Sequence, residues 1–144
     1  MKNIVLPLIL SLVLQSSAFA QNASDTAAAL PKTLAATMKA MSSNLKSIVA
    51  QINNPQLNDN SATKADMFTA LTLHSKDFSP DSIANLPADQ NVAAKAQYDK
   101  MLDQTADLGT QLAFAFRSND TASATVILNQ LSQQKSDGHK QFKH

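Results

Sequence analysis

Leu34, Met38, Met41, Leu45, Ile48 and Ile52 follow one another at spacings of four, three, four, three and four residues. On a helix these positions fall on one face, whereas on a strand they would scatter to both sides. The spacing therefore predicts a helix from about Thr33 to Ile52. Pro31 stands just before it, where a missing N–H is tolerated, and Asn53-Asn54-Pro55 ends it. A second, weaker stripe is Met67, Leu71, His74 and Phe78, on a helix expected to start near Ser61 or Thr63 and stop before Pro80. After a loop from Ser79 to Asp89, the longest expected, Tyr98, Leu102, Thr105, Gly109, Leu112 and Phe116 mark a third helix. Ala124, Ile127, Leu128, Leu131, Lys135, Gly138 and Phe142 mark a fourth. Between them, Asn119 suits the left-handed position after a helix and Asp120 suits the cap of the next. With two glycines in the chain and no strand pattern, the expected fold is all-α, an antiparallel up-down-up-down four-helix bundle.

The first twenty residues stand outside this pattern. Lys2 opens a nearly unbroken apolar run from Ile4 to Leu14, and Ala18-Phe19-Ala20 has the small-residue form of a cleavage site. The expected organisation is a signal peptide over 1–20 cleaved after Ala20, a flexible tail over 21–32, and one bundle domain over 33–144. Export to the periplasm follows. Without Lys2 the 12 basic residues fall to 11, matching the 11 acidic ones. A neutral chain with no basic cluster is a poor partner for nucleic acid, and no later apolar run is long enough to cross a bilayer. The chain has no cysteine, which excludes disulfides, thiol chemistry and the C-x-x-C-H attachment of a covalent haem.

Within an up-down-up-down bundle the start of the first helix and the end of the fourth share one end. Met38 and His139 each lie about five residues from their helix terminus, ~7 Å below the rim at ~1.5 Å per residue. His139 falls 8 and 11 residues after Leu131 and Leu128, on the same apolar face. A thioether and an imidazole facing across an apolar gap suit the two axial positions of a haem iron. Taken singly, each residue has a plainer reading: methionine fills gaps in helical cores, and a histidine suits a helix C-terminus. His74 reads as a bundle-edge residue with its polar tip in water, or as an alternative ligand. Terminal His144 lies five residues from His139, not at the i, i+4 spacing of a helical metal pair. Asp99, Asp103 and Asp107 repeat every four residues as a solvated face.

Two segments resemble a known family. Leu34-(x3)-Met38-(x2)-Met41-(x2)-Asn44-Leu45-Lys46-(x)-Ile48 is similar to the opening of cytochrome b562 proteins. Gln130-Leu131-(x3)-Lys135-(x3)-His139-(x2)-Phe142-Lys143 is similar to their closing helix, and Tyr98 to His144 runs against their last two helices without a gap. The resemblance implies a periplasmic, monomeric electron-transfer protein with one non-covalent haem b (iron protoporphyrin IX), its iron held by Met38 and His139. It implies pocket walls of Leu34, Met41, Met67, Tyr98 and Leu102, with Pro80 nearby and Lys135 where the family carries an arginine. Gly138 replaces a large aromatic and Leu102 a phenylalanine. Two protein ligands leave no open coordination site, and no paired nucleophile and base is visible, so the expectation is redox partner proteins and no enzymatic activity. Two other readings stay open: a haem-free bundle of the same fold acting as a periplasmic binding or adaptor protein, and an enzyme with an open haem site should Met38 not bind.

Overall fold

The computed structural model describes residues 29–142. The expected signal peptide, most of the expected tail, and His144 lie outside the described residues. Five α-helices follow in order: α1 (Leu34–Gln51), α2 (Asn58–His74), α3 (Asp81–Ala84), α4 (Ala88–Arg117) and α5 (Thr121–Phe142). Single 3-10 turns, Pro55–Leu57 and Ser75–Asp77, flank α2. The described residues are all-helical, with four long helices and no strand. No helix among them is long and apolar enough to cross a membrane.

Local chemistry sets the boundaries of α1. Thr33 caps it by accepting from the Ala36 N–H at 3.2 Å, satisfying one of the donors a helix start leaves unpaired. Asn54 accepts from the Gln56 N–H at 3.2 Å and turns the chain directly into α2. That helix begins at Asn58, earlier than the expected Ser61 or Thr63. Asn58 is 4 % exposed and donates through Nδ2 to Asn119 Oδ1 at 2.8 Å, tying the start of α2 to the turn between α4 and α5. In that turn Asn119 takes φ 55°, and Asp120 accepts from the Ser123 N–H at 2.9 Å. Both roles match the expectation.

α2 corrects the sequence reading. Its buried residues are Asn58, Ser61, Ala62, Ala65, Phe68, Leu71 and Thr72. Of the expected stripe of Met67, Leu71, His74 and Phe78, only Leu71 is fully buried, and Met67 is 40 % exposed. The helix packs between α1 and α4 on a face of small side chains. A Cβ at Gly109 of α4 would lie only 2.4 Å from Thr69 Oγ1, so the two helices meet where one of them has no side chain.

Two apolar clusters fill the interior. The larger includes Ile48, Phe68, Leu112, Phe116, Ile127 and Leu131. The smaller joins Ile83 of α3 to Tyr98 and Leu102 of α4, with Met38 and Phe142 packed against it. The expected long loop is thus partly helical. Asn91 Nδ2 donates to the Ile83 carbonyl at 2.8 Å and Ser82 Oγ to the Phe142 carbonyl at 2.7 Å, which seats the segment over one end of the helices. α1 packs on α2, α2 on α4 and α4 on α5, but α1 and α5 do not pack closely on one another.

Candidate functional site

The space between α1 and α5 is a cavity of about 800 Å³, within the range of small-molecule and cofactor sites. α1 contributes Leu34, Met38, Met41 and Leu45; α4 contributes Tyr98, Met101 and Leu102. α5 contributes Leu131, Lys135, Gly138, His139 and Phe142, and Phe68 of α2 and Ser79-Pro80 also line it. The lining is therefore dominated by aliphatic, thioether and aromatic groups, and these keep water from whatever they enclose.

Met38 and His139 come from opposite ends of the chain and line this one cavity. Met38 is half-buried on α1 and packs on both apolar clusters. His139 is in the last turn of α5 and is exposed. Leu34, Met41, Tyr98, Leu102 and Lys135, all expected on the wall, line the cavity too, as does Pro80. Met67 does not: its neighbour Phe68, turned inward with the small-residue face of α2, lines the cavity instead. Sequence reasoning also passed over Met101 and Phe142 as wall residues, and Lys39. Met101 packs over the bare backbone of Gly138, its sulfur 3.2 Å from where a Cβ would stand.

The thioethers are not equivalent. Met41 is 8 % exposed, and the buried Ser75 hydroxyl reaches its sulfur at 3.6 Å. Met38 lies one turn nearer the helix start, toward the end where α5 terminates.

Tyr98 is the most unusual polar group of the wall. It is 4 % exposed, its ring meets Phe142 edge-on at 5.2 Å and 78°, and Lys95 Nζ lies 5.8 Å from its ring centre. Its buried hydroxyl has no hydrogen-bond partner. Burial, reinforced by the Asp99 charge, pushes its pKa up to about 12, so the phenol keeps its proton at neutral pH.

Other charged groups are committed elsewhere. Lys95 Nζ donates to both Asp99 oxygens at 2.6 and 2.8 Å and to the Lys76 carbonyl at 2.9 Å, and Lys76 Nζ donates to Asp103 at 2.6 Å. Two of the three expected solvated aspartates are thus lysine partners. The Asp103 hydrogen bond raises the Lys76 pKa above its ordinary value. His74 departs from its expected place as well. Its Nε2 lies 2.8 Å from the Pro31 carbonyl and its Nδ1 2.9 Å from Asp77, so both nitrogens are engaged, and it does not line the cavity. Among the described residues no three His, Cys, Asp or Glu side chains converge on a metal position; a thioether–imidazole pair is a different kind of site.

Comparison of the chain with known proteins finds no matching family model, no matching curated protein and no matching solved structure.

Proposed function

We propose that this chain is a periplasmic electron-transfer protein that would hold one non-covalent b-type haem between α1 and α5, with Met38 and His139 as the residues that would ligate its iron. The carrying observation is that these two side chains, one from each helix that borders the gap, line a single apolar cavity of about 800 Å³. The long helices would form an antiparallel up-down-up-down bundle. Three contacts support that arrangement: Ser61 bonded to Gln51 and Asn58 to Asn119 join the start of α2 to the end of α1 and to the turn after α4, and Gln141 near the end of α5 bonds to Gln97 in the first third of α4.

The residues fit the group. A neutral thioether and an imidazole are the ligand set of Met/His cytochromes and favour the ferrous state. When bound, the haem supplies a one-electron couple. Leu34, Met41, Leu102 and Leu131 exclude water around it, which favours the less charged redox state. Helices α1 and α5 hold the sulfur and the ring nitrogen on regular backbone, so little has to move as charge changes. Lys39 and Lys135 border the cavity from its two sides and offer cations to acidic groups of the ligand or of a redox partner.

Optical titration with haem tests the reading. The wild type should give the narrow, split visible bands of six-coordinate low-spin haem on reduction. Met38→Ala should yield a species that binds carbon monoxide readily and has a lower potential. His139→Ala should weaken haem binding about tenfold or more, the equivalent of at least ~1.4 kcal/mol. Unaltered spectra in both variants would end the ligand assignment. Absence of any Soret band after haem is supplied would leave a haem-free binding or adaptor bundle in its place.

A further inference from the structure

We infer that a protein with an acidic surface docks over the opening of the cavity between α1 and α5, its carboxylates meeting Lys39, Lys46 and Lys135. As a route for electrons this rests on the cavity holding a haem; as a binding surface it does not.

Charge in this chain is sorted by helix. Between Asp25 and Asp59 there is no acidic residue, and the cations of that stretch are Lys32, Lys39 and Lys46, seven residues apart. Seven residues are two helical turns, so Lys39 and Lys46 stand on one stripe of α1 about 10.5 Å apart. From Asp59 to Arg117, by contrast, eight aspartates outnumber five cations. Positive charge is therefore in excess along α1, and negative charge along α2 to α4. Pairing sharpens the division. Lys76, Lys95, Arg117 and Lys140 each have an aspartate partner. Lys39, Lys46 and Lys135 are exposed, and none of the three is in an ion pair among the described residues. Their charges contribute nothing to holding these helices together and stay available to an outside partner.

They also stand where the cavity opens. Of its lining residues only Ala35, Lys39, Ser79, Asp81, Lys135 and His139 are exposed, which marks the mouth. Lys39 and Lys135 flank that mouth from α1 and α5 against the single carboxylate of Asp81, and Lys46 extends the cationic side along α1. His139 is at the same opening, so a partner drawn to these lysines arrives beside the residue that would ligate the iron. A molecule positive on this side and negative on the other turns an acidic partner toward the mouth before contact. A bilayer fits less well. A helix lying in a lipid interface needs a broad apolar face, whereas Val49 is the one large apolar side chain exposed on α1.

Poly-L-glutamate serves as the probe, added to isotope-labelled, haem-free protein at ~0.01 M salt, where charge acts over ~30 Å. Amide shifts should concentrate in α1 and the last turns of α5. Lys39→Gln/Lys46→Gln/Lys135→Gln should weaken binding about tenfold or more, equivalent to ~1.4 kcal/mol, and arginine at the same three positions should keep it. Lys64→Gln/Lys100→Gln, on the acid-rich α2 and α4, should leave it nearly unchanged. Wild type and the triple variant should converge near 1 M salt, where the range falls to ~3 Å. On haem-loaded protein, oxidation by ferricyanide, which takes one electron from the ferrous haem, should slow about tenfold in the triple variant at low salt. Oxidation by the cationic tris(phenanthroline)cobalt(III) should not slow. Shifts spread over the whole surface, or equal losses in the triple and control variants, overturn the inference. So does tighter binding to phosphatidylglycerol vesicles than to poly-L-glutamate, or salt-sensitive self-association in sedimentation, which would make the occupant a lipid surface or a second copy. If poly-L-glutamate binds as described but supplied haem gives no Soret band, the docking surface stands and the cytochrome reading falls. Low-spin haem spectra with no role for the three lysines leave the cytochrome reading without this surface.

Discussion

Asp120 shows how much one exposed side chain can do at a helix start. Its carboxylate takes the Ser123 hydroxyl at 2.6 Å and the Ser123 N–H at 2.9 Å, and these bonds hold its pKa below the ordinary value. A group whose folded pKa is depressed stabilises the fold above its unfolded pKa and loses that contribution as pH falls through the folded one. Asp120→Ala should therefore lower the melting temperature at neutral pH. The deficit should shrink as pH drops below about 3.9, the free aspartate value. A deficit that did not vary with pH would refute the cap as its source. The two glycines make a second residue-scale contrast. Gly138→Ala places a Cβ 3.2 Å from the end of the flexible Met101 side chain, which can rotate away. The helix gains up to ~1 kcal/mol of propensity, so urea unfolding of the unliganded protein should shift to higher concentration. Gly109→Ala sets its Cβ 2.4 Å from Thr69 Oγ1 and 3.1 Å from the Phe68 ring. Thr69 is branched at Cβ and bonded to the Ala65 carbonyl at 3.0 Å, so it cannot yield, and a loss of about 1–3 kcal/mol is expected.

At the scale of elements, α2 carries the greatest departure from its own hydrophobic pattern. It turns Ser61, Ala62, Ala65 and Thr72 inward and leaves Met67 and Leu73 outside, at 40 % and 46 % exposure. Close approach to α4 rewards small volume over apolar character, because helices separated by short side chains bring more backbone and Cβ surface into contact. Thr72, Thr69 and Ser75 make this tolerable by returning their hydroxyls to the carbonyl four residues earlier at 2.8, 3.0 and 2.9 Å. Ala65→Leu, which would read as an improved apolar stripe, should therefore destabilise by about 1–3 kcal/mol through overpacking. Met67→Ser should be nearly neutral. Chemical denaturation of both variants checks the orientation of the helix, and the reverse order of effects would contradict it. α3 is the complementary case. Four residues cannot form a stable helix alone, yet Ile83, 1 % exposed against Tyr98 and Leu102, anchors one here.

For the molecule as a whole, the consequential feature is the pair of helices that do not pack together. α2 and α4 form the solid side, and α1 and α5 lean on them with the cavity between. A ligand bridging α1 to α5 should therefore stabilise the fold by mass action, ~2.7 kcal/mol at a hundredfold excess over its dissociation constant. Calorimetry with haem should show that rise. Hydrogen exchange should slow most in the first turns of α1 and the last turns of α5; a uniform change, or none, would count against binding in this gap.

The number of long helices, the α1 stripe and the Asn119-Asp120 turn were legible in the linear chain because each rests on contacts within a few residues: helical period, cap bonds and a left-handed backbone. Leu34, Met41, Tyr98, Leu102 and Lys135 were expected on the wall from the resemblance to cytochrome b562 proteins, and the helical period by itself left Lys39, Met101 and Phe142 out of it. What faces inward on α2, the helical turn at Asp81–Ala84, the entry of Phe68 in place of Met67, and the stranded hydroxyl of Tyr98 were decided only by the tertiary structure. Alanine, serine and threonine carry no hydrophobic rhythm to read, and whether a phenol finds a partner depends on neighbours that the chain brings together only on folding.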